Sequence, residues 1–123
     1  MSFVEALERK LDQLMKEPDH PQTFNHIGVL LYQMKDLQAA AMYFQRAYQL
    51  NPLNEDVLYN YASLLYQQGE FQQAIPIYKA YLALNENDIE MIQKLGDCYY
   101  HLGEYESAGK MYEALQKYRE ENL

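Results

Sequence analysis

The sequence predicts an all-α protein made of repeated antiparallel helix pairs, and three observations lead to this expectation. Good helix formers (Gln, Glu, Leu, Ala, Met and Lys) dominate the 123 residues, with only five glycines and four prolines. Apolar residues recur three and four positions apart, as on one face of a helix. Shifting the sequence against itself by 34 residues aligns it three times without a gap. A fixed period of this length is typical of helical repeat proteins.

Three columns of the repeat keep one kind of side chain. Two columns are always small and the third is always aromatic. They are Gly28, Ala62 and Gly96; Ala40, Ala74 and Ala108; and Phe44, Tyr78 and Tyr112. We expect the small columns to lie on facing helices, with the aromatic ring filling the wedge beside each contact. Because two helices cannot bury such a face alone, the units are expected to stack.

Each unit contains two predicted helices. In the first unit, Phe24, Ile27 and Leu31 follow one helix face, and Ala40 and Phe44 follow a second. The two helices separate at Lys35-Asp36, Gly69-Glu70 and Gly103-Glu104 in successive units. Glycine at this position can adopt the left-handed conformation that ends a helix. Helix starts are marked by Pro21 and by the capping and acidic groups of residues 54–56 and 87–88.

On these columns the sequence resembles the tetratricopeptide repeat (TPR) family. The family pattern is an aromatic residue, Leu-Gly and Tyr, followed by Ala-x3-Phe and Pro. The first unit matches it with Phe24, Ile27-Gly28, Leu31, Ala40, Phe44 and Pro52, whereas Glu86 and Glu120 replace the proline in the later units. The resemblance implies a right-handed α-solenoid of antiparallel helix pairs, with about seven helices and no catalytic activity.

The period divides the chain into one continuous domain of four segments. Residues 1–18 form an N-terminal capping segment, and residues 21–54, 55–88 and 89–122 form the three repeats. Phe3, Ala6 and Pro18 fall one period before their columns in the first repeat. Residues 3–16 are therefore interpreted as a lone helix of the second type that covers the first repeat.

The first helix of each pair is expected to line a concave surface, and its side chains that avoid the packing face are candidate contacts for a partner. They are Asn25, Val29, Tyr32, Tyr59, Asn60, Ser63, Tyr66, Gln93, Lys94, Asp97, Tyr100 and His101. Tyrosine recurs at one position in Tyr32, Tyr66 and Tyr100, and it combines rigid contact area with a hydroxyl group. An alternative is that these rings only pack between neighbouring repeats.

The charges at these positions indicate the kind of partner. Some TPR proteins bind a C-terminal carboxylate through five basic and amide residues. The matching positions here hold Asn25, Val29, Asn60, Glu90 and Lys94. Glu90 places an anion where a cation is needed, which disfavours that activity. With Asp56, Glu90 and Asp97 against Lys94, we expect a neutral or basic protein or peptide.

Composition and motifs exclude several other classes. The formal net charge of −8 disfavours nucleic-acid binding, and no apolar run is long enough for membrane insertion. The acidic N-terminal residues do not fit a signal peptide, and the single cysteine, Cys98, cannot form an internal disulfide. We therefore expect a cytoplasmic protein. The three histidines lack metal-ligand spacing, Cys98 is expected to be an inert, partly buried thiol, and no cofactor or catalytic motif is present.

Two alternatives to a peptide-binding adaptor remain at this stage. One is a secretion-type chaperone for an exported partner, similar in layout to three-repeat chaperones. The other is a self-associating scaffold that uses an uncapped C-terminal edge. The candidate residues for that edge are Met111, Leu115 and Tyr118, and the alternative is that they are buried against their own partner helix. A homo-oligomer is one form that such a scaffold would take.

Overall fold

A computed structural model describes residues 2–122, and within this range the chain forms seven α-helices and no strand. The helices are α1 (Phe3–Lys16), α2 (Pro21–Gln33), α3 (Leu37–Leu50), α4 (Glu55–Gln67), α5 (Phe71–Leu84), α6 (Ile89–His101) and α7 (Tyr105–Glu121). Helices α2, α4 and α6 begin at residues 21, 55 and 89, and α3, α5 and α7 at residues 37, 71 and 105, so each type repeats every 34 residues. The predicted all-α fold is confirmed.

Short polar side chains hold the first turn of four helices. The Ser2 hydroxyl accepts a hydrogen bond from the Glu5 amide at 3.2 Å, and the Asp36 carboxylate accepts one from the Ala39 amide at 3.1 Å. Asn54 caps α4 through the Val57 amide at 3.1 Å, and Asp88 caps α6 through the Met91 amide at 3.3 Å. Each bond satisfies an amide that has no partner inside its own helix.

The turn between the two helices of each repeat uses a left-handed residue. Gly69 and Gly103 both have φ of 77°, as the sequence predicts, and Lys35 takes the same position in the first repeat with φ of 66°. The amide of the next residue then bonds back five positions, from Glu104 to the Tyr99 carbonyl at 2.9 Å, for example. A side chain in this conformation costs roughly 1–2 kcal/mol, because its Cβ approaches the following carbonyl oxygen.

The chain divides into two compact units, the first ending at Leu64 and the second beginning at Leu65. In the first unit, α1 and α3 both pack against α2, around a core that includes the fully enclosed Ile27. In the second unit, α5 and α7 both pack against α6, and the core includes Tyr78 and Met91. Helix α1 contributes no buried residue. Within residues 2–122, no helix is long and apolar enough to cross a membrane.

The small and aromatic columns meet face to face. A methyl group on Gly28 would lie 2.5 Å from two carbons of the Phe44 ring, and one on Gly96 would lie 2.8 Å from the Tyr112 ring. The ring therefore lies directly over the glycine rather than only beside the contact, which refines the expectation from the sequence. Ala40 and Ala108 are buried at 0% and 2% exposure. Side chains in a core packed to this density leave no room for an added carbon.

We predict opposite effects of glycine and alanine at the left-handed turn. Lys35→Gly should raise the free energy of unfolding by about 0.5–1 kcal/mol because it removes the Cβ that opposes a positive φ. Gly69→Ala and Gly103→Ala should each lower it by about 1 kcal/mol for the same reason. Urea denaturation of the purified variants measures all three.

Gly109→Ala is the matched control, since Gly109 lies within α7 and no heavy atom lies within 4 Å of an added Cβ. It should stabilise the protein by about 0.5–1 kcal/mol, as expected for alanine inside a helix. A less stable Lys35→Gly variant would contradict the assignment of strain to this turn.

Candidate partner-binding surface

In the first unit, the predicted contact residues differ in their access to solvent. Tyr32 and Tyr59 are 42% and 38% exposed, and Val29, Asn60 and Ser63 are half-buried. Both tyrosines lie on the first helix of their repeat. The first unit therefore presents two aromatic rings at predicted positions, with smaller side chains near them in the sequence.

The structure contradicts the expectation that the Asn25 side chain faces a partner. This side chain is only 4% exposed. Its Oδ1 atom accepts a hydrogen bond from Asn60 Nδ2 at 3.1 Å, because α4 brings Asn60 against it. A buried amide with a partner inside the protein stabilises the packing of the two helices. Asn25 therefore orients Asn60 and is not itself a contact surface.

In the second unit, Tyr66 is held by two neighbours on α6. The Lys94 ammonium lies 4.4 Å from the centroid of the Tyr66 ring, within the range of a cation–π interaction. The Tyr66 hydroxyl donates to Asp97 Oδ2 at 3.4 Å, and the Tyr112 hydroxyl donates to Asp97 Oδ1 at 2.6 Å. One carboxylate thus accepts hydrogen bonds from α4 and from α7.

These contacts favour the protonated hydroxyl groups. Burial and then the hydrogen bond to Asp97 raise the pKa of Tyr112 to about 12. Burial and the Asp97 charge also raise the pKa of Tyr66. Both directions follow because a phenolate would be poorly solvated and would face a carboxylate. Asp97 therefore serves as an acceptor for two internal hydroxyls, in addition to its predicted place on the binding surface.

Further along α6, aromatic side chains cluster near the turn to α7. The His101 ring stacks on Phe71 with centroids 4.4 Å apart and planes 6° apart. Tyr100 and Tyr105 meet edge to face at 5.3 Å, and they are 57% and 65% exposed. Tyr105 was not among the predicted contact residues. The signal was nevertheless present, because Tyr105 follows Leu37 and Phe71 in a column of large apolar residues.

The repeated tyrosines therefore differ from one another. Tyr66 is half-buried and packs against the next repeat through Lys94 and Asp97, as the alternative interpretation expected. Tyr32 and Tyr100 keep about half of their surface in solvent, at 42% and 57%. Gln93 and His101 are exposed, and Lys94 and Asp97 are half-buried.

At the candidate C-terminal edge, the alternative of burial within the protein applies to Leu115. Leu115 is only 4% exposed, because it lies on the face that α7 turns toward the core. Met111 and Tyr118 are half-buried. An edge made of all three side chains is therefore not present, and Leu115 acts as a core residue.

The part of the chain that the structure describes shows no arrangement of groups suited to metal binding. Among residues 2–122, no cluster of three or more His, Cys, Asp or Glu side chains could hold a metal ion. Cys98 is fully buried, and burial followed by the Asp97 charge raises the pKa of its thiol to about 12. The expectation of an inert thiol is consistent with this burial, because the thiolate is the reactive form.

Comparisons with known proteins agree with the geometry. The model of the cytochrome c-type biogenesis protein H TPR domain matches residues 5–122. A crystal structure of MamA protein aligns with a TM-score of 0.83 and 22% identity, covering 96% of this chain and 64% of that chain. A MamA RS-1 double mutant gives a TM-score of 0.87 at 21% identity, covering 95% and 66% of the two chains.

A third structure, MamA from Desulfovibrio magneticus RS-1, gives a TM-score of 0.85 at 21% identity, again covering 95% of this chain and 66% of that chain. The chain thus spans slightly less than two thirds of each of these three MamA structures. At this identity the likeness is one of fold. No curated protein matches the sequence.

We predict that the raised pKa of Tyr112, which follows from burial and then from the hydrogen bond to Asp97, makes stability fall at high pH. The folded pKa of Tyr112 lies above its ordinary value of 10, so the contribution is complete below pH 10 and is lost as the pH rises to about 12. Tyr112→Phe should make the free energy of unfolding decrease less steeply over this range. Urea denaturation at a series of pH values measures the slope, and identical slopes for the two proteins would contradict the prediction.

Cys98 should react slowly with thiol reagents in the folded protein. Its complete burial and raised pKa both keep the thiolate population small. A coloured disulfide reagent at pH 8 should modify the native protein at least about tenfold more slowly than the urea-unfolded protein. Equal rates in the two states would show that Cys98 is accessible.

Proposed function

The chain belongs to the family of the cytochrome c-type biogenesis protein H TPR domain, and from this premise we propose that it is a non-catalytic module that binds another protein or a peptide. The observation that carries the proposal is the exposure of tyrosine at one repeat position, with Tyr32 and Tyr100 at 42% and 57%. Large rings left in solvent cost hydrophobic free energy, which a partner would recover by covering them.

In the first unit, the proposed contacts are centred on Tyr32 and Tyr59. Each ring offers apolar area with a hydroxyl at its edge. Asn60, oriented by Asn25, can bond to the backbone of an extended peptide, and Val29 and Ser63 supply small side chains that let a partner approach.

In the second unit, the proposed contacts are centred on Tyr100. Gln93, Lys94, Asp97 and His101 lie on the same helix, and of these Lys94, Asp97 and His101 also contact Tyr66 or Phe71 within the protein. The internal bonds of Lys94 and Asp97 hold their side chains in place before a partner arrives. Less side-chain entropy is then lost on binding.

We propose that the partner is neutral or basic. Lys94 already lies over the Tyr66 ring, so its charge is directed at a group of the protein itself. Asp56 and Glu90 are exposed on the first helices of their repeats, and the chain carries a net charge of −8. A basic segment would associate faster with such a surface than an acidic one.

The test compares two double variants. Tyr32→Ala with Tyr100→Ala removes the exposed rings, and Met42→Ala with Leu53→Ala removes two side chains that are each 70% exposed and lie outside the proposed surface. Partners captured from native lysate and identified by mass spectrometry would be purified and titrated against each variant. The tyrosine variant should bind about tenfold or more weakly, as is usual when a central aromatic contact is removed.

The control variant should bind as the wild type does, and circular dichroism should show the same helix content in all three proteins. Equal affinity of the tyrosine variant and the wild type for the purified partner would overturn the proposal.

A further inference from the structure

The repeat builds the same pair of rings twice. Tyr66 and Phe71 occupy the positions in the second repeat that Tyr100 and Tyr105 occupy in the third. The ring centroids are 5.4 Å apart at 79° in the first pair and 5.3 Å apart at 62° in the second. We call the Tyr100–Tyr105 pair the aromatic corner. The equivalent pair in the second repeat shows which side chains pack against two rings in this arrangement.

In the second repeat, side chains of α6 cover the equivalent pair, Tyr66 and Phe71. From α6, the Lys94 ammonium lies 4.4 Å from the centroid of the Tyr66 ring, and the His101 ring stacks on Phe71 at 4.4 Å. Asp97, one turn after Lys94, accepts the hydrogen bond of the Tyr66 hydroxyl at 3.4 Å. Asp97 and His101 follow Lys94 by three and seven residues on α6, so the three side chains share one face of the helix.

In the third repeat, the corner is open to solvent. Tyr100 and Tyr105 are 57% and 65% exposed, whereas Tyr66 and Phe71 are half-buried. On the second helix of the repeat, Ile77 is 4% exposed but the equivalent Met111 is half-buried. The surface that α6 covers in the second repeat is thus exposed to solvent in the third repeat.

The surrounding charges favour a cation at the corner. Glu104 and Glu106 flank Tyr105 in the sequence, and both are exposed. Glu106 already pairs with Lys110 at 3.9 Å. A cation over a tyrosine face is attracted by the ring and would gain further from the Glu104 carboxylate.

We propose that the aromatic corner binds a helix of a partner protein that carries three side chains in register. These are Lys or Arg, then a hydrogen-bond acceptor such as Asp three residues later, then a flat ring seven residues after the cation. The cation would lie over Tyr100, the acceptor would take the Tyr100 hydroxyl, and the ring would stack on Tyr105. This inference rests on the proposed function and names the chemistry of the partner in the second unit.

A second copy of this chain does not supply such a helix. Of its ten Lys and Arg residues, only Lys94 is followed by an aromatic ring seven positions later, and that ring is His101. Both side chains are already engaged with Tyr66 and Phe71. Since no other helix of residues 3–121 carries this register, we take a helix from another protein as the occupant.

The test uses a peptide copy of α6, residues 89–101, as the probe. Cys98→Ser prevents oxidation, and a lactam bridge between Ile89→Lys and Gln93→Glu, both at exposed positions, keeps the peptide helical. The control peptide also carries Lys94→Ala and His101→Ala. Each labelled peptide is titrated against the full chain by fluorescence anisotropy. Amide chemical shifts of the protein then locate the binding site.

We expect the probe to bind at least about fivefold more tightly than the control peptide, and Tyr100→Ala and Tyr105→Ala in the protein to weaken the probe by a similar factor. Phe3→Ala, which removes a ring that is 49% exposed in the first unit, should leave the affinity unchanged. Equal binding of the two peptides, no binding of the helical probe, or shifts outside α6 and α7 would overturn the inference.

The two proposals can fail separately. If the probe does not bind but the variant with Tyr32→Ala and Tyr100→Ala still loses the captured partner, the proposal of a helix at the aromatic corner is wrong. The proposal that the protein is a partner-binding module is then retained. If the probe binds as expected but the captured partner is indifferent to both tyrosines, the corner is right and the proposed surface for that partner is wrong.

Discussion

The close approach of an aromatic ring to a glycine is the contact on which the rest of the structure depends. Phe44 over Gly28 and Tyr112 over Gly96 leave no space for one additional carbon atom. In the first and third repeats, this contact sets the distance between the two helices of the pair. That distance in turn fixes where the outward-facing side chains of the first helix lie. The positions of Tyr32 and Tyr100 are therefore a consequence of a buried contact one turn away on the same helix.

Most of the fold was predictable because its signals are local or periodic. The 34-residue step is a periodic signal. The glycines at 69 and 103 and the capping residues at 54 and 88 act within a few residues of their position. Lys35 was harder, because lysine alone does not indicate a left-handed backbone. Its conformation follows from the repeat, since the turn needs a positive φ whichever residue occupies it. The repeat here overrides the preference of a single residue.

The candidate site was only partly predictable, because exposure depends on neighbours that are distant in the sequence. Asn25 has the helical phase of an outward residue, but Asn60, 35 positions later, covers it. For Leu115 the sequence leaves both an exposed edge and burial open, and the structure places it in the core. Tyr66 and Tyr100 occupy the same position of the repeat. Lys94 and His101 nevertheless cover the Tyr66–Phe71 pair, whereas the aromatic corner at Tyr100 stays exposed. No pattern within one repeat distinguishes these two environments.

Helix α1 is held differently from the other helices that pack on the first repeat. It packs on α2 but encloses no side chain completely, and Met15 near its end is 83% exposed. A segment that buries so little apolar surface opens at a lower free energy than the helices around it. Amide protons of residues 3–16 should therefore exchange with deuterium before those of α2 and α3. Helix α1 can thus detach while α2 and α3 stay folded, and the side of α2 that α1 covers would then be exposed to solvent.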